Sequence, residues 1–131
     1  MDLLVLAARI LFVPIFLASG MGHLGATDAM AGYAASKGIP SPRLAVQGSG
    51  LLILLGGLSV VLGIYPAYGA LALVVFCIPT AFLMHAFWKE TDPMAKMGAR
   101  TNFLKDLALA GAGLFAYALV DAGKFGFQLL K

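Results

Sequence analysis

The amino-acid sequence predicts an all-α integral membrane protein, a four-helix bundle with a short interfacial helix between the first and second spans. Three observations predict it. Hydrophobic residues make up 61% of the 131-residue chain and charged residues only 11%, where a soluble domain carries about 25% charged. Mean hydropathy is +0.94, so the chain has more apolar surface than a protein of this size can bury, and the excess has to face lipid. The apolar residues also fall into four runs of about 20 residues, the length that crosses a hydrocarbon core of about 30 Å as a helix. A single transmembrane domain over residues 1–131 is expected.

The first run covers residues 3–22 and is interrupted by Arg9 and Pro14. No basic residue precedes its apolar stretch, so a span is expected here rather than a secretory leader. The connection from His23 to Arg43 has a pattern of its own. Thr27 or Asp28 can cap a short helix in which Met30, Tyr33 and Ala34 share a face, and Gly38, Pro40 and Pro42 end it. This pattern predicts a helix lying in the headgroup region, anchored by Tyr33. The second span is expected over 44–64 and the third over 67–87. Tyr65 and Pro66 leave room only for a tight turn between them, which makes these two helices antiparallel neighbours.

The next connection, Trp88 to Asn102, holds Lys89, Glu90, Asp92, Lys96 and Arg100. The fourth span is expected over 103–120, with Lys105 and Asp106 in its first turn. The tail from Asp121 mixes charges with Phe125 and Phe127 and is expected to rest on the interface. Gly56 and Gly63 share a stripe of the second helix, and Ala108, Ala112 and Ala116 share one of the fourth. Small residues let transmembrane backbones approach closely. Packing within the bundle is the favoured use of these stripes, and a homo-oligomer seam is the alternative.

The net charge is +3 and the nine Lys and Arg residues sit mostly between apolar runs, so they read as topology signals and not as a nucleic-acid surface. Four spans place both termini on one side. The connection side carries Lys37, Arg43, Lys89, Lys96, Arg100 and Lys105, against Lys124, Lys131 and the embedded Arg9 at the terminal side. That bias predicts cytoplasmic connections and termini outside. Cys77 lies alone in an apolar run, and the chain has no disulfide framework, CxxC or zinc-ligand spacing.

Charged groups in hydrocarbon need a partner, a wet cavity or a route to the interface. Arg9 sits about two turns into the first helix. Two readings stand close to even: a structural arginine at the terminal-side mouth, with Asp121 the acid at a depth to pair with it, or a cation inside a ligand cavity. At the other face His85, Trp88, Asn102, Lys105 and Asp106 share one depth with His23. Asn102, Lys105 and Asp106 are spaced to lie on one helix face. Imidazole can donate, accept and relay protons near neutral pH. A quinone headgroup or proton site built from these residues weighs evenly against an ordinary polar rim with Trp88 as a belt residue. Two histidines on separate segments point only weakly to metal or haem, and no metal is expected.

At these residues the chain resembles the DoxX family of small bacterial membrane proteins. The likeness runs along nearly the whole chain: Arg9 followed by Ser19-Gly20, then Tyr33-Ala34-Ala35-Ser36-Lys37-Gly38-Ile39-Pro40, then Leu54-Leu55-Gly56-Gly57-Leu58 with Gly63. The stretch His85-Ala86-Phe87-Trp88 resembles the family's His-x-Phe-Trp signature, and Asn102-Phe103-Leu104-Lys105-Asp106 follows it. The resemblance implies a four-helix bundle in the bacterial inner (cytoplasmic) membrane. It also implies association with redox systems: some relatives are subunits of a thiosulfate:quinone oxidoreductase, and others are linked to thiol and oxidative-stress complexes. Arg9, His85, Trp88, Asn102 and Lys105 match family-like polar positions. Ile53 stands where many relatives carry Glu, and His23 where many carry Lys.

Three functions compete on these grounds. The first is a quinone-linked subunit or partner of a membrane-associated oxidoreductase, binding its ligand through His85, Trp88, Asn102, Lys105, Arg9 and His23. It would have no intrinsic cofactor, because no flavin, haem or iron–sulfur motif is visible. The second is a non-catalytic anchor or assembly factor for a soluble redox enzyme. The third is a small lipid or solute carrier, weakest because no inverted repeat or unwound helix pair is visible. Catalysis by this chain alone is not expected.

Overall fold

Four helices long and apolar enough to cross a membrane follow one another as packed neighbours in the computed structural model, which describes residues 1–131. The first span is two helices end to end, α1 (Asp2–Phe12) and α2 (Pro14–Gly25). Pro14 has no amide hydrogen and its ring crowds the carbonyl four residues back. Val13 between them keeps helical angles, φ −78° and ψ −30°, so the chain is interrupted but not turned back.

The short helix α3 (Thr27–Ser36) is present, but the expected cap is corrected: Ala26 precedes the helix, and neither Thr27 nor Asp28 caps it through a side-chain hydrogen bond. The Thr27 hydroxyl donates to the His23 carbonyl at 2.7 Å. Gly38, at φ +81°, ends the helix by turning the Ile39 N–H onto the Ala34 carbonyl at 3.2 Å. Ala31 and Ala34 are buried with Val46, so α3 lies packed on the start of the second span.

The remaining spans are α4 (Pro42–Leu62), α5 (Pro66–Met84) and α6 (Pro93–Asp121). Each opens on a proline in its first turn, where the missing N–H would be unpaired anyway. The start of α6 corrects the expectation of a long connection up to Asn102. The helix begins at Pro93 because the Asp92 carboxylate accepts from the Ala95 N–H at 2.9 Å, a cap followed by proline. A count of apolar residues cannot detect that signal in a charged stretch. Between α5 and α6 runs only a short link with one 3₁₀ turn, Phe87–Lys89.

Close helix packing relies on glycine where a side chain would collide. A Cβ on Gly69 would lie 2.3 Å from the Ser59 hydroxyl on α4, and one on Gly113 would lie 2.7 Å from Val74 on α5. Gly113 sets the buried stripe of α6 as Asp106, Ala110, Gly113 and Ala116. The Ala108–Ala112–Ala116 stripe is therefore displaced, and Ala108 faces outward. The bundle interior is Val13, Phe16, Ile53, Val60, Leu73 and Cys77 with their neighbours. Leu11 and Phe115 are 82% and 76% exposed, as side chains set against hydrocarbon are.

The tail is a second correction. It folds back onto the bundle, with Phe125 completely buried. The α4–α5 turn leaves backbone groups free, and the tail supplies their partners. Leu129 and Leu130 donate to the Gly63 carbonyl at 2.9 and 3.1 Å, and Tyr65 donates to Leu130 at 3.0 Å.

Candidate functional site

The two polar loci lie at opposite ends of the bundle. At the terminal end the Arg9 side chain is buried, 4% exposed. Its Nε donates to the Val60 carbonyl at 2.9 Å, Nη2 to Val61 at 2.7 Å and Nη1 to Phe127 at 2.6 Å. Val60 and Val61 belong to the last turn of α4, whose carbonyls have no donors within the helix and carry the negative end of its dipole. The guanidinium also sits 4.6 Å over the Phe125 ring. The expected Arg9–Asp121 pair is corrected here: Asp121 is exposed and forms no ion pair. Arg9 finds its counter-charge in a helix end and the folded tail, so it does not need an acid. It also borders a small apolar cavity of about 210 Å³ between α1 and α6, apart from the histidines.

At the connection end, α2, α3, α4, α5 and α6 enclose a larger cavity of about 410 Å³. Eleven of its 19 lining residues are hydrophobic. His23, His85, Lys105 and Asp106 are all in its wall. The two histidines arrive because a helix ends at that depth, the other two because α6 passes it. His23 lies in the last turn of α2, His85 follows the end of α5, and Lys105 and Asp106 lie inside α6. The elongated start of α6 places them further into the membrane-crossing helix than a first turn would.

His85 Nε2 lies 3.5 Å from Asp106 Oδ2, and Lys105 Nζ lies 3.4 Å from Asp106 Oδ1. His23 Nδ1 is 3.2 Å from the Val46 carbonyl and 3.1 Å from the Ser49 hydroxyl. A carbonyl only accepts, so in the tautomer protonated at Nδ1 the ring donates to Val46 and its Nε2 is left as an acceptor. No group of three or more His, Cys, Asp or Glu side chains is placed to hold a metal ion. Pro79 in α5 cannot donate to the Val75 carbonyl, and both residues line the cavity. Leu52, Val75 and Leu83 line it too while being 37%, 62% and 53% exposed. The cavity therefore opens sideways, where hydrocarbon lies.

Two sequence candidates stand elsewhere. Trp88 packs edge-on against Phe87 and Phe103, with ring centroids 5.2 and 5.6 Å apart. Asn102 is exposed, without a side-chain hydrogen bond. Asp106 shares the depth of His85 and directly follows Lys105 in α6, but its burial beside them is visible only in three dimensions. Over the cavity, Tyr33 donates to the Met84 carbonyl at 3.3 Å, and Lys37 pairs with Glu90 at 3.0 Å. These contacts tie α3 to the link after α5. The Glu90 bond raises the Lys37 ammonium above its ordinary value.

Four lipid-facing spans, a buried arginine at one end and a polar-walled apolar cavity at the other define a small multi-pass membrane protein. The DoxX family model matches residues 4–86, well over half the chain, and the chain belongs to the DoxX family. It is 31% identical to the Escherichia coli inner membrane protein YphA over 111 residues, 85% of this chain and 79% of the relative. It is 30% identical to the E. coli inner membrane protein YqjF over 133 residues, 98% of this chain and 92% of the relative. No solved structure matches it.

Proposed function

We propose that this protein binds a long-chain amphiphile of the quinone class in its connection-end cavity, as a subunit or partner of a membrane-associated oxidoreductase system. The observation that carries the reading is the cavity's two-part chemistry. An apolar interior of about 410 Å³ opens toward lipid, and its wall holds a cation, an acid and an imidazole together, with a second imidazole elsewhere in the wall. Such a site suits a ligand with an apolar tail and a small polar head. Lys105 and His85 supply donors for head oxygens. Electrons would enter or leave through a partner enzyme. The inner-membrane names of both relatives support an inner-membrane location. The basic bias supports cytoplasmic connections and outward termini, with α3 in the headgroup layer as a cover.

A second reading, an anchor for a soluble redox enzyme, draws on the start of α6, where Met94, Lys96, Met97 and Arg100 are all exposed. Titration of a decyl benzoquinone into the purified protein in lipid nanodiscs separates the two. The ligand reading predicts saturable binding that weakens about tenfold in His85→Ala, about 1.4 kcal/mol. Saturable binding with unchanged affinity in His85→Ala and Lys105→Ala would remove the cavity from the site. No binding, together with loss of enzyme recruitment on replacing Lys96 and Arg100, would favour the anchor.

A further inference from the structure

Asp106, a residue of the connection-end cavity wall, carries one buried side-chain atom with no hydrogen-bond partner, Oδ2. The side chain is only 5% exposed. Its other oxygen, Oδ1, has Lys105 Nζ at 3.4 Å. His85 Nε2 lies at ion-pair distance from Oδ2, 3.5 Å, without a hydrogen bond between them. As a carboxylate, Asp106 can only accept hydrogen bonds. A buried acceptor left without a donor is costly, and such groups are rare unless something meets them.

We propose that Asp106 makes the cavity selective for amphiphiles whose head carries a hydroxyl, so that of the two redox forms of a quinone it holds the quinol. This rests on the quinone-class reading above and names the form bound. An oxidised head offers only carbonyl oxygens. Against Oδ2 it would set acceptor against acceptor and leave both without a donor. A phenolic hydroxyl can donate to the Asp106 carboxylate, a bond strengthened by the carboxylate's charge. Lys105 and His85 remain as donors to a second head oxygen. A site built around a hydroxyl rejects the analogue lacking it more strongly than an apolar wall rejects a missing methylene, because the site's own buried group is then stranded.

The test uses the full chain in lipid nanodiscs with two matched probe pairs. The first pair is 4-nonylphenol and its methyl ether, which share a skeleton and differ in the donor. The second is a decyl benzoquinol and its quinone, compared anaerobically. The phenol and the quinol should each bind at least about tenfold more tightly than their partners, about 1.4 kcal/mol. That ratio should fall below about threefold in Asp106→Asn, whose amide oxygen accepts more weakly, and vanish in Asp106→Leu. Equal wild-type affinity within both pairs overturns the selectivity and leaves the quinone-class reading standing. Binding of none of the four overturns both. A tenfold preference that persists in a folded Asp106→Leu assigns the discrimination elsewhere and overturns the role of Asp106. If neither variant folds, the wild-type comparison decides.

Discussion

Replacing Arg9 with leucine should destabilise the bundle more than any other single change at the terminal end. Three N–H groups of its guanidinium bond to carbonyls at 2.6–2.9 Å, and the head lies over Phe125. Hydrogen bonds to a charged group contribute about 1.5–3 kcal/mol each, and a desolvated cation–π contact about 2 kcal/mol. These terms are not additive, since leucine would recover part of the loss through lipid-like packing. A net loss of about 3–5 kcal/mol is expected, the range for removing one partner of a buried charged network. Arg9→Lys should lose about 2 kcal/mol, because a single ammonium cannot reach three carbonyls in a fork. Asp121→Asn should change stability by less than about 0.5 kcal/mol. Equilibrium unfolding in mixed detergent micelles measures each. A double-mutant cycle should show strong coupling between Arg9→Leu and Phe125→Ala and none between Arg9→Leu and Asp121→Asn. A loss below about 1 kcal/mol for Arg9→Leu, or clear coupling to Asp121, would refute the reasoning.

Three further outcomes follow from the same geometry. Gly63→Ala should cost about 2–3 kcal/mol in the same unfolding assay, since Gly63 has φ +67° and its Cβ would meet the Phe127 carbonyl at 2.7 Å; a neutral effect would show that the tail is not seated there. Lys37 has a raised pKa through its bond to Glu90, so its stabilisation is complete below the ordinary value of 10.5 and is lost as pH rises through the higher folded value. Screening keeps it to about 1 kcal/mol or less, so Lys37→Met should be slightly destabilised at pH 8 and match wild type in strong alkali. Cysteines placed at Ser41 and Gly98 should resist an impermeant thiol reagent in intact cells, with the native Cys77 silent because it is buried; labelling of both would reverse the orientation.

The fold was legible because span length and hydropathy are local properties. Proline and glycine marked where helices start and stop, as at Pro42, Pro66 and Gly38. The start of α6 is not legible in hydropathy because its signal is the Asp92–Pro93 cap, while its first turns are exposed. The partner of Arg9 was hidden for a different reason. Sequence offers acids as candidates for a cation, whereas the groups that meet it are backbone carbonyls at residues 60, 61 and 127, which no side-chain pattern reports. His85, Lys105 and His23 could be placed at one depth from span boundaries alone. Which of their neighbours turn inward depends on helix rotation, fixed here by contacts such as Gly113 against Val74. That rotation brings Asp106 into the cavity wall and leaves Asn102 outside.

The central claim, that the connection-end cavity holds a long-tailed redox amphiphile, is tested most directly by photolabelling. A decyl benzoquinone carrying an azide on its ring would be activated in nanodiscs containing the wild-type protein, and the labelled peptides mapped by mass spectrometry. The head should mark segments that form the cavity wall, residues 75–85 and 105–106, and excess unlabelled decyl benzoquinone should compete the label away. Label confined to lipid-facing positions such as Leu11 and Phe115, or label there that excess ligand fails to displace, would contradict the claim.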